Sequence, residues 1–194
     1  EELLKIFTSN IKITKNVWLT ATRSNFDDIF MQLGNYIDVN KDKFFAIAEC
    51  LGNNLNISIV LTKNIDDFER KEAKTFRNYG ADPRVGVVAK LVVNKANSIN
   101  VLHSENEMEN EYSRHLKKAE NWINELDKTI RPFILVETAL KPAPENIQSI
   151  TLDKKEIERL TTAHISQMAR FFKDTVKSAG ININRLETII LIGN

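Results

Sequence analysis

Two apolar runs around a short polar break predict a β-hairpin in the first half of the chain. The stretch FFAIAECLGNNLNISIVL covers residues 44–61, and its break holds Gly52, Asn53 and Asn54. Gly and Asn are favoured in hairpin turns because they accept the positive φ that such turns require. A glycine turn after a strand can also present backbone N–H groups to a phosphate. The pattern therefore leaves two interpretations, an ordinary turn or a phosphate-binding turn.

Helical spacing of apolar residues predicts helices on both sides of this hairpin. Pro83 suits the first turn of one helix, Asp153 can cap another, and Gly180 can end the latter. The predicted helices cover residues 1–12, 27–33, 84–95, 112–129 and 154–179. Further apolar runs of strand length lie at residues 17–21, 133–140, 147–152 and 188–192.

Two polar segments are harder to assign from the pattern. Residues 65–80 mix Glu and Lys around two phenylalanines, which suits either a helix or a strand-rich connection. Within them, FERKEAK is most simply a salt-bridged surface helix. Residues 101–111 are strongly polar and predict a boundary. The mixture of strands and helices indicates a layered α/β or α+β fold.

Composition narrows the classes of partner. The 194 residues carry 27 basic and 26 acidic side chains, a net charge of +1, which gives no reason to expect nucleic acid or a membrane surface as partner. Cys50 is the only cysteine, which excludes an intrachain disulfide and a cysteine-based metal site. We therefore expect an intracellular reducing compartment, either the cytoplasm or an organelle lumen. Because the chain begins with Glu1 and not Met, we expect a trimmed fragment.

The side chains best suited to chemistry have simpler structural interpretations. His103 lies in an acidic stretch that could hold a metal, but a solvated loop explains it better. His164 and Ser166 share a helix without a paired acid, which disfavours a nucleophile–base pair. Cys50 is expected to be an inert buried thiol, and Trp122 a core residue. The residues therefore predict no catalytic group and no metal site.

Taken in order, the elements resemble a known ATPase domain. The stretch SITLDKKEIERL, a long helix and SAGININRLETIILIG are similar to the second lobe of the Hsp70 nucleotide-binding domain. HLKKAENWINEL is similar to the family's adenine-side helix, and AECLGNNLNISIV to its phosphate hairpin. The resemblance implies an α/β, actin-like (ribonuclease H-like) lobe with a mixed sheet flanked by helices, plus a smaller α+β subdomain. A thiolase-like piece is a third interpretation, but its catalytic Cys and His are not found.

The resemblance also implies a domain plan. Residues 1–43 would be a remnant of the first lobe or a connecting segment. Residues 44–109 and 188–194 would form the inner subdomain of the second lobe. Residues 110–187 would form its outer α+β subdomain, which in the family is a docking surface for exchange factors.

The phosphate hairpin departs from the family at most of its functional positions. Glu49 stands where the family has an Asp near the metal and the attacking water, and Asn56 replaces a second Asp. Leu51 and Asn53 replace glycines, whereas Gly52 keeps one. A side chain at a phosphate turn pushes phosphate oxygens away from the N–H groups.

Other matched positions are partly kept. Asn54 replaces the Thr that contacts phosphate in the family. Glu120 keeps the acidic position of the adenine-side helix, where Ile123 replaces a Lys. Gly193 keeps the first of two closing glycines, and Asn194 replaces the second. The family's first phosphate loop has no counterpart.

These departures predict an Hsp70-like, chaperone-related protein with an eroded ATP site. It would act through protein–protein binding, with assembly subunits or co-chaperone-like factors, or as a structural subunit. We expect no cofactor and no catalysis. The alternative is a fragment of a working chaperone ATPase that binds ATP or ADP with magnesium. The degenerate nucleotide site would comprise Glu49, Gly52, Asn53, Asn54, Glu120 and Gly193.

Overall fold

The computed structural model describes residues 42–51, 53–64, 67–80 and 82–192, and the backbone of residues 17–20. The strands are β1 (Val17–Thr20), β2 (Lys43–Leu51), β3 (Asn54–Asn64), β4 (Asp67–Arg77), β5 (Phe133–Thr138), β6 (Gln148–Asp153) and β7 (Leu186–Ile192). The helices are α1 (Pro83–Ala96), α2 (Glu105–Lys128) and α3 (Lys154–Ser178), with short 3-10 turns at Asn97–Ile99 and Ile183–Arg185. The helices predicted at residues 1–12 and 27–33 lie outside the described residues.

The chain divides into two compact units. The first unit is Glu1–Gly80 with Ser166–Asn194, and the second is Ala81–Ile165. The second boundary falls inside α3. β1 belongs to the first unit, in the same sheet as the β2–β3 hairpin. α1 belongs to the second unit. The division into lobe subdomains stays a prediction.

The first unit contains a mixed sheet together with the second part of α3. Its strand order is β1-β7-β2-β3-β4, in which β2, β3 and β4 are antiparallel neighbours and β7 runs parallel to both β1 and β2. One face buries an apolar cluster made of Phe45, Ile47, Val60, Ile190 and Ile192, with Phe68 packed against it. The predicted hairpin and the predicted strands at residues 17–21 and 188–192 are confirmed.

β4 corrects the prediction of a surface helix over FERKEAK. It pairs with β3 along its length and lies at the edge of the sheet. The Lys71 ammonium lies 2.6 Å from the Glu69 carboxylate, two residues away, which suits a strand better than a helix. Phe76 stacks on Phe171 of α3 with ring centroids 4.1 Å apart. The charges suit an edge strand because they discourage pairing with other chains.

The second unit packs α1, α2 and the β5–β6 hairpin around an apolar core. Pro83 opens α1, and the Asp82 side chain accepts from the Arg84 and Val85 amides. α2 begins at Glu105, because Ser104 and Glu107 form a capping box. The interpretation of residues 101–111 as only a boundary was therefore wrong. The core includes Val88, Ala89, Val92, Ala119, Leu126, Ile134, Val136, Ile150, Leu152 and Ile157.

The predicted ends of α3 are confirmed. The Asp153 carboxylate accepts from the Glu156 amide at 2.9 Å, and Gly180 follows the helix with φ +73. No helix among the described residues is long and apolar enough to cross a bilayer.

Candidate functional site

The candidate site lies where β2 and β7 end in the first unit. β2 and β7 are parallel, so their carboxyl ends meet at the same edge of the sheet, with Glu49 in register with Ile192. In open α/β sheets ligands bind at the carboxyl ends of the parallel strands, because the loops that follow them converge there. This edge also carries the turn between β2 and β3, which contains Asn53.

Three polar residues form a row across the sheet at this edge. Glu49 on β2 lies opposite Asn56 on β3, which in turn lies opposite Thr75 on β4. Directly opposed residues share a face of the sheet with Cβ atoms about 5 Å apart. The Thr75 hydroxyl donates to the Asn56 Oδ1 at 2.9 Å. The amide oxygen of Asn56 is therefore already engaged by its own sheet.

The electrostatics of Glu49 oppose a role as a charged ligand. Burial raises the pKa of the Glu49 carboxyl, and the nearby Arg70 guanidinium opposes this rise. Desolvation disfavours the carboxylate form, and a hard cation such as magnesium binds that form. The position opposite Glu49 holds a neutral amide, so it adds no second negative charge.

The turn is contacted from one side by the chain that follows β4. The Asn53 carbonyl accepts from the Tyr79 amide at 3.0 Å and from the Gly80 amide at 3.2 Å. Gly80 lies so close to Asn54 that a Cβ on it would stand 2.6 Å from the Asn54 carbonyl carbon and closer still to its nitrogen and oxygen. Only glycine fits this approach. The close approach of Gly80 was not predicted from the sequence, although a glycine at the end of a charged segment was a usable signal.

The remaining predicted site residues are distributed unevenly. Glu49, Asn53 and Asn54 come together at the sheet edge. Glu120 is exposed on α2 and belongs to the second unit. Gly52 and Gly193 lie outside the described residues, and their predicted role stays a prediction.

A buried polar network in the second unit was missed from sequence. The Glu111 carboxylate accepts from the Arg114 guanidinium and from the Lys141 amide, and only 4% of Glu111 is exposed. His115 is fully buried, with Nδ1 2.8 Å from the Glu111 carbonyl and Nε2 2.9 Å from the Thr138 hydroxyl. The spacing E-x-x-R-H on one helix was its signal. Since these buried groups are paired, the network joins α2 to β5 and the loop after it.

The other titratable candidates have structural environments. The His103 amide donates to Glu107 as part of the α2 cap. Burial raises the pKa of the Cys50 thiol, which is consistent with an unreactive side chain. Burial, and then the charge of Lys90, lower the pKa of His164 to about 4. Within the residues that the structure covers, no group of three or more His, Cys, Asp or Glu side chains could hold a metal ion.

Comparison with known proteins identifies no family. No protein-family model matches the chain, and no curated protein matches its sequence significantly. The class of protein is therefore given by the fold, which is α/β with a mixed sheet and three helices in the described part of the chain.

Proposed function

We propose that this chain is an Hsp70-like, chaperone-related protein whose actin-like fold has lost ATP turnover and now serves protein–protein binding. The row formed by Glu49, Asn56 and Thr75 carries the proposal. In the resembling family a second carboxylate stands at the position of Asn56, and here that position holds an amide bonded to Thr75. In the resembling family the phosphate hairpin and the strand that ends in two glycines contribute to one site. Here the carboxyl ends of β2 and β7 are neighbours, which supports the match.

Phosphoryl transfer depends on a metal held by carboxylates, because the metal neutralises charge on the transferring group. Glu49 alone, with a pKa raised by burial, is a poor substitute for two ionised aspartates. Each tenfold loss of rate corresponds to about 1.4 kcal/mol of transition-state stabilisation, so several lost contacts would suppress turnover severely.

The second unit offers a surface that suits a protein partner. Four large apolar side chains are exposed in and beside the β5–β6 hairpin, namely Ile130, Phe133, Leu135 and Ile147. Phe133 and Leu135 lie two residues apart on β5 and share its exposed face, and exposed apolar patches commonly mark protein interaction sites. In the resembling family the corresponding outer subdomain docks exchange factors, which supports assembly subunits or co-chaperone-like factors as partners.

Calorimetry with Mg-ATP, together with a phosphate-release assay on the intact protein, tests the loss of turnover. We expect no steady phosphate release. Micromolar binding with steady release would overturn the proposal in favour of a working ATPase.

A matched pair of variants tests the binding surface. Leu135→Glu should reduce recovery of a co-purifying protein. Thr151 is the exposed residue directly opposite Leu135 in the β5–β6 hairpin, and Thr151→Glu should reduce recovery less. Equal recovery from the wild-type protein and Leu135→Glu would remove this surface from the proposal.

A further inference from the structure

The outer edge of β5 presents backbone hydrogen-bonding groups in the second unit. β5 bonds to β6 through its even-numbered residues, because the Lys154 amide donates to the Pro132 carbonyl at 2.9 Å in the same register. In an antiparallel pair the residues between the hydrogen-bonded ones point their N–H and C=O groups the other way. The backbone groups of Phe133, Leu135 and Glu137 therefore face away from β6, and no described residue forms a hydrogen bond with them.

The opposite edge of this hairpin has the end of α1 beside it. The Lys95 ammonium donates to the Thr151 carbonyl at 3.3 Å, and the Gln148 side-chain amide donates to the Ala96 carbonyl at 2.7 Å. Among the described residues, β5 is therefore the strand of the hairpin whose outer edge is open. An open edge is a template on which another extended strand can pair.

The side chains along β5 favour a second copy of the chain as the occupant. Phe133 and Leu135 are 39% and 62% exposed and lie on one face of the strand. Arg131 comes just before β5 and Glu137 lies near its end, and both are exposed. Neither of these charged side chains forms an ion pair with a described residue. A strand that is basic at its start and acidic at its end is complementary in charge to an antiparallel copy of itself.

We propose that β5 pairs with β5 of a second copy of this chain, antiparallel and about a two-fold axis. The direction of the backbone groups allows only registers in which odd-numbered residues lie opposite odd-numbered residues. One such register places Phe133 opposite Leu135 of the second copy and, at the same time, Arg131 opposite its Glu137. The two-fold axis repeats both pairs, because the same surface is used by each copy. The joined hairpins then form one continuous sheet.

This inference rests on the proposed protein binding by the second unit and names a second copy as the partner. It does not depend on the row at Glu49. Steady phosphate release from a dimer would therefore overturn the loss of turnover and leave the pairing intact. A monomer that loses a co-purifying protein on Leu135→Glu would overturn the pairing and leave the binding surface intact.

Sedimentation equilibrium of the full chain over a range of concentrations tests the pairing. We expect a reversible monomer–dimer equilibrium. Arg131→Glu and Glu137→Arg each place like charges opposite one another, so each variant alone should dimerise about tenfold more weakly. An equimolar mixture of the two variants restores opposite charges at both positions and should dimerise as tightly as the wild-type protein. Arg159→Glu makes the same change of charge at an exposed position of α3 and should change dimerisation less than twofold.

Amide hydrogen exchange gives a second readout on the unmodified protein. The amides of Phe133, Leu135 and Glu137 should exchange more slowly as the protein concentration rises, because the second copy covers them. The Ile134 and Val136 amides already face β6, so their exchange should change less. The pairing is overturned if the chain stays a monomer at every concentration or if the mixture dimerises no better than either variant. It is also overturned if the three outer amides exchange equally fast in dilute and concentrated protein.

Discussion

In the first unit the polar residues of the candidate site lie at one end of the sheet. In the second unit a glutamate and two histidines are enclosed by helices and a hairpin. Glu49 and Asn56 are half-buried, and each has a strand neighbour on both sides. Glu111, His115 and His164 are buried. Ionisable groups at the end of a sheet can change with modest effect on stability, but buried ones are tied to folding because removing one leaves hydrogen-bonding groups inside the protein without a partner.

The largest expected effect comes from the buried carboxylate of the second unit. Glu111→Ala leaves the Arg114 guanidinium and the Lys141 amide without their acceptor. We expect a loss of about 3–5 kcal/mol in the free energy of unfolding, measured by denaturant titration.

Glu120→Ala is the matched control, because Glu120 is exposed on the same helix. It should change the free energy of unfolding by less than about 0.5 kcal/mol. Equal losses for the two variants would mean that the buried network does not stabilise the second unit.

His164 of the second unit and Glu49 of the first should respond to acid in opposite directions. His164 has a pKa near 4 when folded and near 6.5 when unfolded, so the unfolded state binds the proton more readily. The second unit should therefore lose about 3 kcal/mol of stability as the pH falls from 6.5 to 4. The folded pKa of Glu49 is raised, so its contribution is present at acid pH and declines as the pH rises through that pKa.

Amide hydrogen exchange at several pH values reads the stability of the two units separately. His164→Gln should flatten the acid slope of the second unit and leave the first unit unchanged. An unchanged slope in this variant would assign the acid loss to other groups.

A steric effect of middle size is expected at the turn of the first unit. Gly80→Ala brings a Cβ into the Asn54 backbone and should destabilise the protein by about 1–3 kcal/mol in thermal unfolding. Gly180→Ala has open space around its Cβ, so it tests the positive φ alone and should cost about 1 kcal/mol. If Gly80→Ala were the milder variant, the close approach to Asn54 would not constrain the turn.

The smallest effect is expected when a second carboxylate is placed opposite Glu49. Asn56→Asp places a like charge opposite Glu49 and should cost about 0.5–1 kcal/mol at neutral pH. The cost should shrink in acid, where Glu49 takes up a proton. A double-mutant cycle with Glu49→Gln isolates the pair. If magnesium restored the lost stability, the row could still become a metal site.

Local signals in the sequence predicted most of the elements. Pro83, Asp153 and Gly180 marked the ends of α1 and α3 because caps and turns act within a few residues. The Ser104–Glu107 capping box was present in the sequence but was passed over as part of a polar segment. The candidate site was predictable only in part, because the engagement of Asn53 by Tyr79 and Gly80 joins residues distant in the chain.

By itself the sequence determined the hairpin at residues 44–61, the helices after Pro83 and Asp153, and the neutral amide at position 56. The tertiary structure decided that residues 67–77 form a strand, because β3 offers a pairing partner that a local charge pattern does not reveal. It also decided that Glu49 meets Ile192 and that Glu111 is buried. Periodicity and caps are properties of neighbouring residues, whereas register and burial arise from segments that meet only when the chain folds.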